Sequence, residues 1–401
     1  MNFNVDFKQK LKSKTLLLIV PHFRAFIKDQ AFFIKPYFRN MKVLMPVPRF
    51  SHVAIMFPYI GRYFRFLEKQ LSSEQDLSCE LLSPKFFTLP IEILRKRNHY
   101  LATKSCIKVL TEKRISFDLI HAHFLENGFI GAKLKGLYNK PFVLTAHGGD
   151  VYKTPFKNSW YNALARYILR EADQVITVSR FNAKILLSLG VSPCKLHVVP
   201  NGYNERLFKP MPMDVMRKRL GLPVSKKILL SVGNLVYVKG HIYLVEAMRF
   251  VLKERNDVIL IIVGSGPLRE NLERRVKKLG LNDKIMFVGG RPHEEIPLWM
   301  NACDMLILPS LCEGFPTVIP EAMACGKPVV ASNVGGIPEI LSSNELGILV
   351  PPKDPKSLAW AIIKAVNTKW NRDVILHYSK KYSWSKLVKS ILQVYQRILV
   401  Q

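Results

Sequence analysis

Residues 309–339 read PSLCEGFPTVIPEAMACGKPVVASNVGGIPE, a stretch that combines an acidic pair, a helix start and a double-glycine turn. The apolar run 305–308 ahead of it reads as a strand entering a polar turn at 310–314. Pro316 suits the first turn of the helix that follows, because its missing N–H would be unpaired there anyway. That helix is expected to end at Gly326. Free N–H groups at 315–318 and the helix dipole favour an anion, such as a diphosphate, at its start. Glu313 precedes the helix. Glu321 lies about one and a half turns inside it at ~3.6 residues per turn, so the two carboxylates reach different parts of one extended ligand. Such a ligand has polar ends and an anionic middle.

A nucleotide sugar has that shape. Glu313 and Glu321, followed by Ala322-Met323-Ala324-Cys325-Gly326 and Gly335-Gly336-Ile337-Pro338-Glu339, resemble the signature of the retaining glycosyltransferase family 4, the group 1 glycosyltransferases. The resemblance implies an α/β chain of the GT-B fold, with two Rossmann-like doubly wound domains facing a central cleft. It also implies that Glu313 meets donor-sugar hydroxyls and that Glu321 accepts from the ribose hydroxyls. The backbone of Gly314, Phe315, Pro316 and Thr317 would lie along the sugar and phosphates. The likeness is close over residues 115–401 and looser over 1–114.

Two further turns carry it. Lys239, in the loop 233–240 that opens with Gly233, matches the family lysine that neutralises the donor diphosphate, a role suited to a compact ammonium. Asn234 stands where the family often has arginine, and Arg291 in the loop 289–292 is the candidate substitute. Gly264-Ser265-Gly266 alone is an incomplete dinucleotide fingerprint. In the first half, His147-Gly148-Gly149-Asp150 resembles the family's His-Gly-Ser-Asp turn, with Gly149 in the serine position. The resemblance implies that His147 lies beside the sugar and the transferred bond, and that Asp150 is a supporting or acceptor-side group. His147, Glu313 and Asp150 are thus the catalytic candidates. His121 and His123, two apart on a strand, are expected to point to opposite faces, which makes a poor joint metal site; both are read as structural.

The rest of the chain alternates strand and helix. Strands are expected at 15–20, 41–47, 117–123, 141–145, 174–178 and 195–199, then at 227–232, 258–263, 284–288, 305–308 and 347–350. Repeated strand, helix, strand units argue for parallel sheets with helices on their faces. The turn-rich break at 200–204 resembles the family's interdomain crossing, with Asn204 where aspartate is common. The expected division is 1–204 as an acceptor-side domain, 205–375 as the nucleotide-sugar domain, and 376–401 as a tail whose helix packs back on the first domain. Residues 1–14 read as basic and frayed. The loop at 21–26 lacks the family's glycine, and Arg24 is its one obvious anion-binding group.

At 401 residues and 48% hydrophobic, the chain has material for two sizeable cores. Its net charge of +30 favours an anionic partner. Residues 1–65 hold twelve Lys and Arg against two Asp, with aromatics interleaved, a mixture suited to an anionic membrane surface. The aromatic-rich stretch 57–64 and Phe86-Phe87 either dock at such an interface or belong to the core. Nucleic acid is not expected, because no recognised binding motif accompanies the charge. Six cysteines without a C-x2-C pair imply reduced thiols in a cytosolic setting. No stretch reaches the ~18 apolar residues of a spanning helix. The expected location is therefore cytoplasmic, peripheral on the inner face of the cell membrane.

No metal and no cofactor is expected, since no Asp-x-Asp motif is present; a UDP- or GDP-linked sugar is the expected substrate, with a glycan or lipid-linked hydroxyl as acceptor. Three alternatives stay open: a nucleotide-sugar epimerase on the same fold; a nucleic-acid-binding protein, which the charge would explain but for which tight salt-sensitive DNA or RNA binding would be needed; and an inactive donor-binding partner subunit, because of Asn234 and the glycine-free first loop.

Overall fold

The computed structural model describes residues 5–21, 25–49, 79–87 and 95–399. Residues 22–24 of the first loop, Arg24 among them, and the aromatic stretch 57–64 lie outside the described residues. The chain divides into two units, residues 1–200 with 387–401, and residues 201–386.

In the first unit the strands are β1 (Thr15–Ile19), β2 (Asn40–Leu44), β3 (Val47–Arg49), β4 (Glu80–Leu82), β5 (Lys85–Phe87), β6 (Leu119–His123), β7 (Phe142–Ala146), β8 (Gln174–Thr177) and β9 (Leu196–Val198). Among the described residues they form a seven-stranded sheet in the order β4-β2-β1-β6-β7-β8-β9, with β3 and β5 pairing apart. Every pairing in it is parallel. β1, β6 and β7 are buried at every position, as central parallel strands covered on both faces must be.

The second unit contains β10 (Lys227–Val232), β11 (Val258–Val263), β12 (Ile285–Gly289), β13 (Met305–Leu308), β14 (Val329–Ser332) and β15 (Gly347–Val350). Their order, β12-β11-β10-β13-β14-β15, is the doubly wound one. Each unit has its own apolar core. Leu17, Ile120, Phe142 and Leu144 anchor the first; Leu229, Leu260, Ile262 and Ile307 anchor the second. Each such side chain contributes about 1.5–3 kcal/mol by leaving water.

The strand order locates the functional ends. In each sheet the direction of winding reverses beside the first strand, between β1 and β6 and between β10 and β13. In open α/β sheets, ligands bind at the carboxyl ends of the strands flanking such a reversal.

Several expectations need correcting. Residues 5–11 of the stretch expected to be frayed form a helix, Val5–Leu11, in which Phe7 and Leu11, four apart on one face, are buried; residues 1–4 lie outside the described residues. β14, and the helices Met213–Arg219 and Arg372–Ser379, were not anticipated. The run at 329–332 follows a Gly-Lys-Pro turn and is too short for its period to register. Phe86 packs on the first core while Phe87 is 56% exposed, the alternation of a strand edge.

Candidate functional sites at the two switch points

In the second unit the loops after β10 and β13 meet. Gly240, at φ +66°, lies so close to Pro309 that a Cβ there would stand 2.0 Å from the Pro309 carbonyl oxygen. Gly335, at φ +56°, approaches the Glu313 carbonyl in the same way, at 1.9 Å. Only glycine combines that backbone with that proximity. Two hydrogen bonds complete the clamp: Leu311 N–H donates to Val238 O at 2.7 Å, and Gly336 N–H to Glu313 O at 3.1 Å. The double glycine at 335–336 thus holds the backbone of Glu313.

That clamp sets one carboxylate opposite one ammonium. Lys239 ends the short 3-10 turn Tyr237–Lys239, and its Nζ donates to Glu313 Oε1 at 2.6 Å. Ser310 Oγ donates to the same oxygen at 2.7 Å. Glu313 is 9% exposed, so its charge depends on these partners rather than on water. Gly314, Phe315 and Pro316 are buried and Thr317 is half-buried. The Phe315 ring lies 5.4 Å from that of Tyr382. Gly233 is half-buried and Asn234 exposed.

The helix after Glu313 departs from expectation. It spans Val318–Ala324, with Thr317 at its N-cap, so Pro316 precedes it rather than opening it. Ile319 N–H donates to Pro316 O at 3.1 Å. The helix ends at Ala324 with Gly326 beyond it at φ +73°. Glu321 is consequently its fourth residue, about one turn in. It is 6% exposed, and its Oε1 stands 3.0 Å from His293 Nε2. The His293 ring lies 5.1 Å from that of Phe208. His293 was not singled out in the sequence; a histidine in a polar loop carries no periodic signal. Arg291, the expected extra cation, is exposed and lies over the Trp299 ring at 5.8 Å.

The first unit presents His147 one residue beyond β7. Its backbone is held on both sides. The N–H groups of His147 and Gly148 donate to Asp150 Oδ1 at 3.2 and 2.6 Å, and Asn182 Nδ2 donates to the His147 carbonyl at 3.0 Å. Asn182 is itself placed by the Ser179 cap of the helix Arg180–Ser188. Asp150, 4% exposed, also accepts from Leu125 N–H at 3.2 Å. Burial raises its carboxyl above the ordinary range, and those N–H groups offset only part of that rise. Both of its oxygens accept from backbone N–H groups of the turn.

The ring of His147 is equally constrained. His123 Nδ1 and His147 Nε2 are 2.9 Å apart, one carrying the proton the other accepts. The Phe124 ring lies 4.5 Å from it and the Phe26 ring 4.9 Å. Phe124 adopts φ +66°, ψ 147°, a conformation that costs a side-chain-bearing residue about 1–3 kcal/mol.

His121 and His123 do not point to opposite faces, as expected from their spacing. Strand side chains alternate with period two, so residues two apart share a face. Their ring centroids are 4.5 Å apart. His121 Nδ1 stands 2.6 Å from Tyr395 Oη, on the helix Trp384–Leu399, and its Nε2 stands 2.7 Å from Thr145 Oγ1. Burial lowers the pKa of His121 to about 3, and that of His123 well below its ordinary value. Among the described residues, no group of three or more His, Cys, Asp or Glu side chains is arranged to hold a metal ion.

Comparison with known proteins follows this division. Residues 212–382 match the family model described as Glycosyl transferases group 1, and residues 72–207 match Glycosyltransferase Family 4. An uncharacterized glycosyltransferase of Methanocaldococcus jannaschii is 34% identical over 301 residues, covering 70% of this chain and 75% of its own. The D-inositol 3-phosphate glycosyltransferase of Acidothermus cellulolyticus is 30% identical over 306 residues, covering 71% and 68%. Among solved structures, Anabaena HepE in complex with UDP-glucose superposes with a TM-score of 0.74 at 20% identity, over 96% of this chain and 100% of that one. Sucrose-phosphate synthase from Thermosynechococcus elongatus gives 0.74 at 23% identity, over 96% and 99%.

Proposed function

This chain belongs to the group 1 glycosyltransferases, the retaining family 4, and from that premise we propose that it transfers a sugar from a nucleoside-diphosphate donor to a hydroxyl of a glycan or lipid-linked acceptor. The observation that carries the reading is the Lys239–Glu313 pair at the switch point of the second sheet, with Glu321 one turn into the helix that follows.

In this reading Lys239 exchanges its carboxylate partner for the donor diphosphate. An ammonium on the leaving group stabilises the charge that grows there as the glycosidic bond breaks. Glu313, released from Lys239, accepts from the sugar hydroxyls, and Glu321 accepts from the ribose. The clamped backbone of 313–317 keeps those acceptors preorganised, so little reorganisation is needed at the moment of reaction. His147 serves the transfer step, donating to a sugar hydroxyl or orienting the leaving diphosphate. Retention follows from a same-face displacement in which the departing phosphate takes the acceptor proton. UDP-glucose bound to HepE supports a uridine or comparable nucleotide as donor here. The basic surplus of the chain supports an anionic membrane surface as the place of work. Among the described residues no helix is long and apolar enough to cross a membrane.

A panel of UDP- and GDP-sugars in a thermal-shift assay, followed by turnover with the donor that binds, tests the proposal. A ligand at about 100 times its Kd stabilises the folded state by about 2.7 kcal/mol, so a true donor raises Tm visibly. No shift with any nucleotide sugar would sink the reading. Release of an epimerised sugar without a transfer product would replace it with the isomerase.

A further inference from the structure

The second unit carries a groove of about 730 Å³ that sugar transfer does not use. Every residue lining it falls within 201–386, and neither Lys239, Glu313 nor Glu321 is among them. Its floor is built where two segments distant in sequence are tied together. Tyr203 N–H donates to Tyr382 O at 3.0 Å and Trp384 N–H to Tyr203 O at 3.1 Å, so that Tyr203 and Ser383 pair as a parallel bridge. Gly202 permits the approach, since a Cβ there would stand 2.6 Å from the Trp384 ring. Tyr203, Ser379 and Ser383 are buried, with Tyr203 Oη 3.5 Å from Ser379 Oγ. A floor held in this way is preorganised, so binding on it costs little in ordering.

The walls carry charge of both signs. Lys209, Lys380 and Lys386 are exposed around the groove, and among the described residues none of the three makes an ion pair. Glu205 and Asp373 line it as well. Glu205 Oε1 accepts from Ser385 N–H at 3.1 Å, whereas its Oε2 is buried and has no hydrogen-bond partner among the described residues. A buried carboxylate oxygen without a donor is costly, and a ligand hydroxyl would supply one. Ammonium groups suit a phosphate, while carboxylates accept from hydroxyls and repel a bare anion. We propose that this groove binds a phosphomonoester that also carries hydroxyl groups, a sugar phosphate or phosphorylated polyol, with its phosphate among the lysines and a hydroxyl donating to Glu205. The volume lies within the ~300–1,000 Å³ typical of small-molecule sites, enough to take such a ligand whole.

The test uses the full chain with saturating UDP, which keeps the probe out of the donor site. Calorimetry with glucose 1-phosphate, glucose 6-phosphate and glycerol 3-phosphate should show binding of at least one, with inorganic phosphate at least about 10-fold weaker and glucose undetected. In the double variant K380Q/K386Q that affinity should fall about 10- to 100-fold, while UDP binds within about twofold of the parent protein. In E205Q the oxygen can stay on Ser385 and the amide then turns a donor toward the ligand, so the ester should lose its advantage over inorganic phosphate. Vesicles containing phosphatidylinositol 4-phosphate present the same chemistry from a lipid. If they bind, the soluble esters do not, and K380Q/K386Q abolishes the binding, the ligand is a headgroup and the site stands. Binding that saturating UDP removes belongs to the donor site, and binding indifferent to K380Q/K386Q lies elsewhere; either result, or no binding of any ester or vesicle, overturns the proposal. Failure of UDP itself to bind would count against the transferase reading and leave the lysine variants to judge the groove.

Discussion

Lys239 and Glu313, 74 residues apart in the chain, share a 2.6 Å ion pair, with Ser310 donating to the same carboxylate oxygen. The two groups proposed to bind different parts of the donor are thus paired with each other. The pair is partly screened, since the two side chains are 24% and 12% exposed, which leaves it breakable by a ligand with more charge than a carboxylate.

Variants of this pair should separate binding from transfer. Lys239→Ala is expected to weaken UDP or GDP by about 10- to 100-fold, the worth of one charge-assisted contact. Glu313→Gln removes the competitor for Lys239, so the bare nucleoside diphosphate should bind as well or better while transfer falls at least about 100-fold. Calorimetry with the nucleotide and a product assay read the two effects; loss of nucleotide affinity in Glu313→Gln would contradict the exchange of partners.

Glu321 should report on the ribose. Glu321→Ala is expected to lower donor affinity by about 1.5–3 kcal/mol. Its effect should largely vanish with a 2′,3′-dideoxynucleotide donor, a deoxy donor that lacks both ribose hydroxyls. His293→Ala, which removes the 3.0 Å contact to Glu321, should produce a smaller loss in the same direction. An undiminished Glu321→Ala effect on the deoxy donor would move the ribose elsewhere.

His147→Ala should act on rate alone. A hydrogen-bonding or proton-handling group at the transfer step contributes about 10²- to 10⁴-fold, so kcat should fall in that range with donor Kd unchanged. A large rise in donor Kd with intact kcat would reassign the residue to binding.

Acid should destabilise the fold in a defined window. His121 and His241, almost fully buried, are held neutral by desolvation, with pKa values lowered from 6.5 to about 3 and about 4. Below 6.5 the unfolded chain takes up protons that the native rings refuse, so stability falls as pH drops from about 6.5 toward those folded values. Each ring is expected to cost about 2 kcal/mol at pH 5. Urea unfolding at pH 7.5, 6 and 5 measures the slope, and His241→Gln should flatten it by its own share; a flat profile in the parent protein would show that the rings protonate in place.

The basic surplus predicts binding to vesicles of anionic lipid that fades as salt rises above about 0.15 M, where charges screen within ~8 Å. Cosedimentation with anionic and with zwitterionic vesicles tests this. Equal binding to both would remove the electrostatic argument.

Much of the fold was legible because buried parallel strands leave unbroken apolar runs such as 227–232 and 258–263, and the structure keeps both at those limits. The short runs were not. β14, four residues long, and the edge strands β4 and β5 carry too few side chains for a period to show. The helix at 318–324 began later than Pro316 suggested, and the backbone of Glu313 ahead of it is held by the Gly335-Gly336 turn.

What the sequence determined by itself was the alternation of strand and helix, the glycines at the tight approaches, and the residue types that resemble a donor site. Those are local properties: burial on two faces, a positive φ, a charge at a turn. Only the tertiary structure decided which of them meet. Lys239 faces Glu313, His293 faces Glu321, and His123 faces His147 because strand order and parallel register bring separate loops to one edge of each sheet. Even the shared face of His121 and His123 acquired meaning only when β7 delivered His147 beside them, since a side chain's chemistry depends on the neighbour that desolvates it and takes its proton.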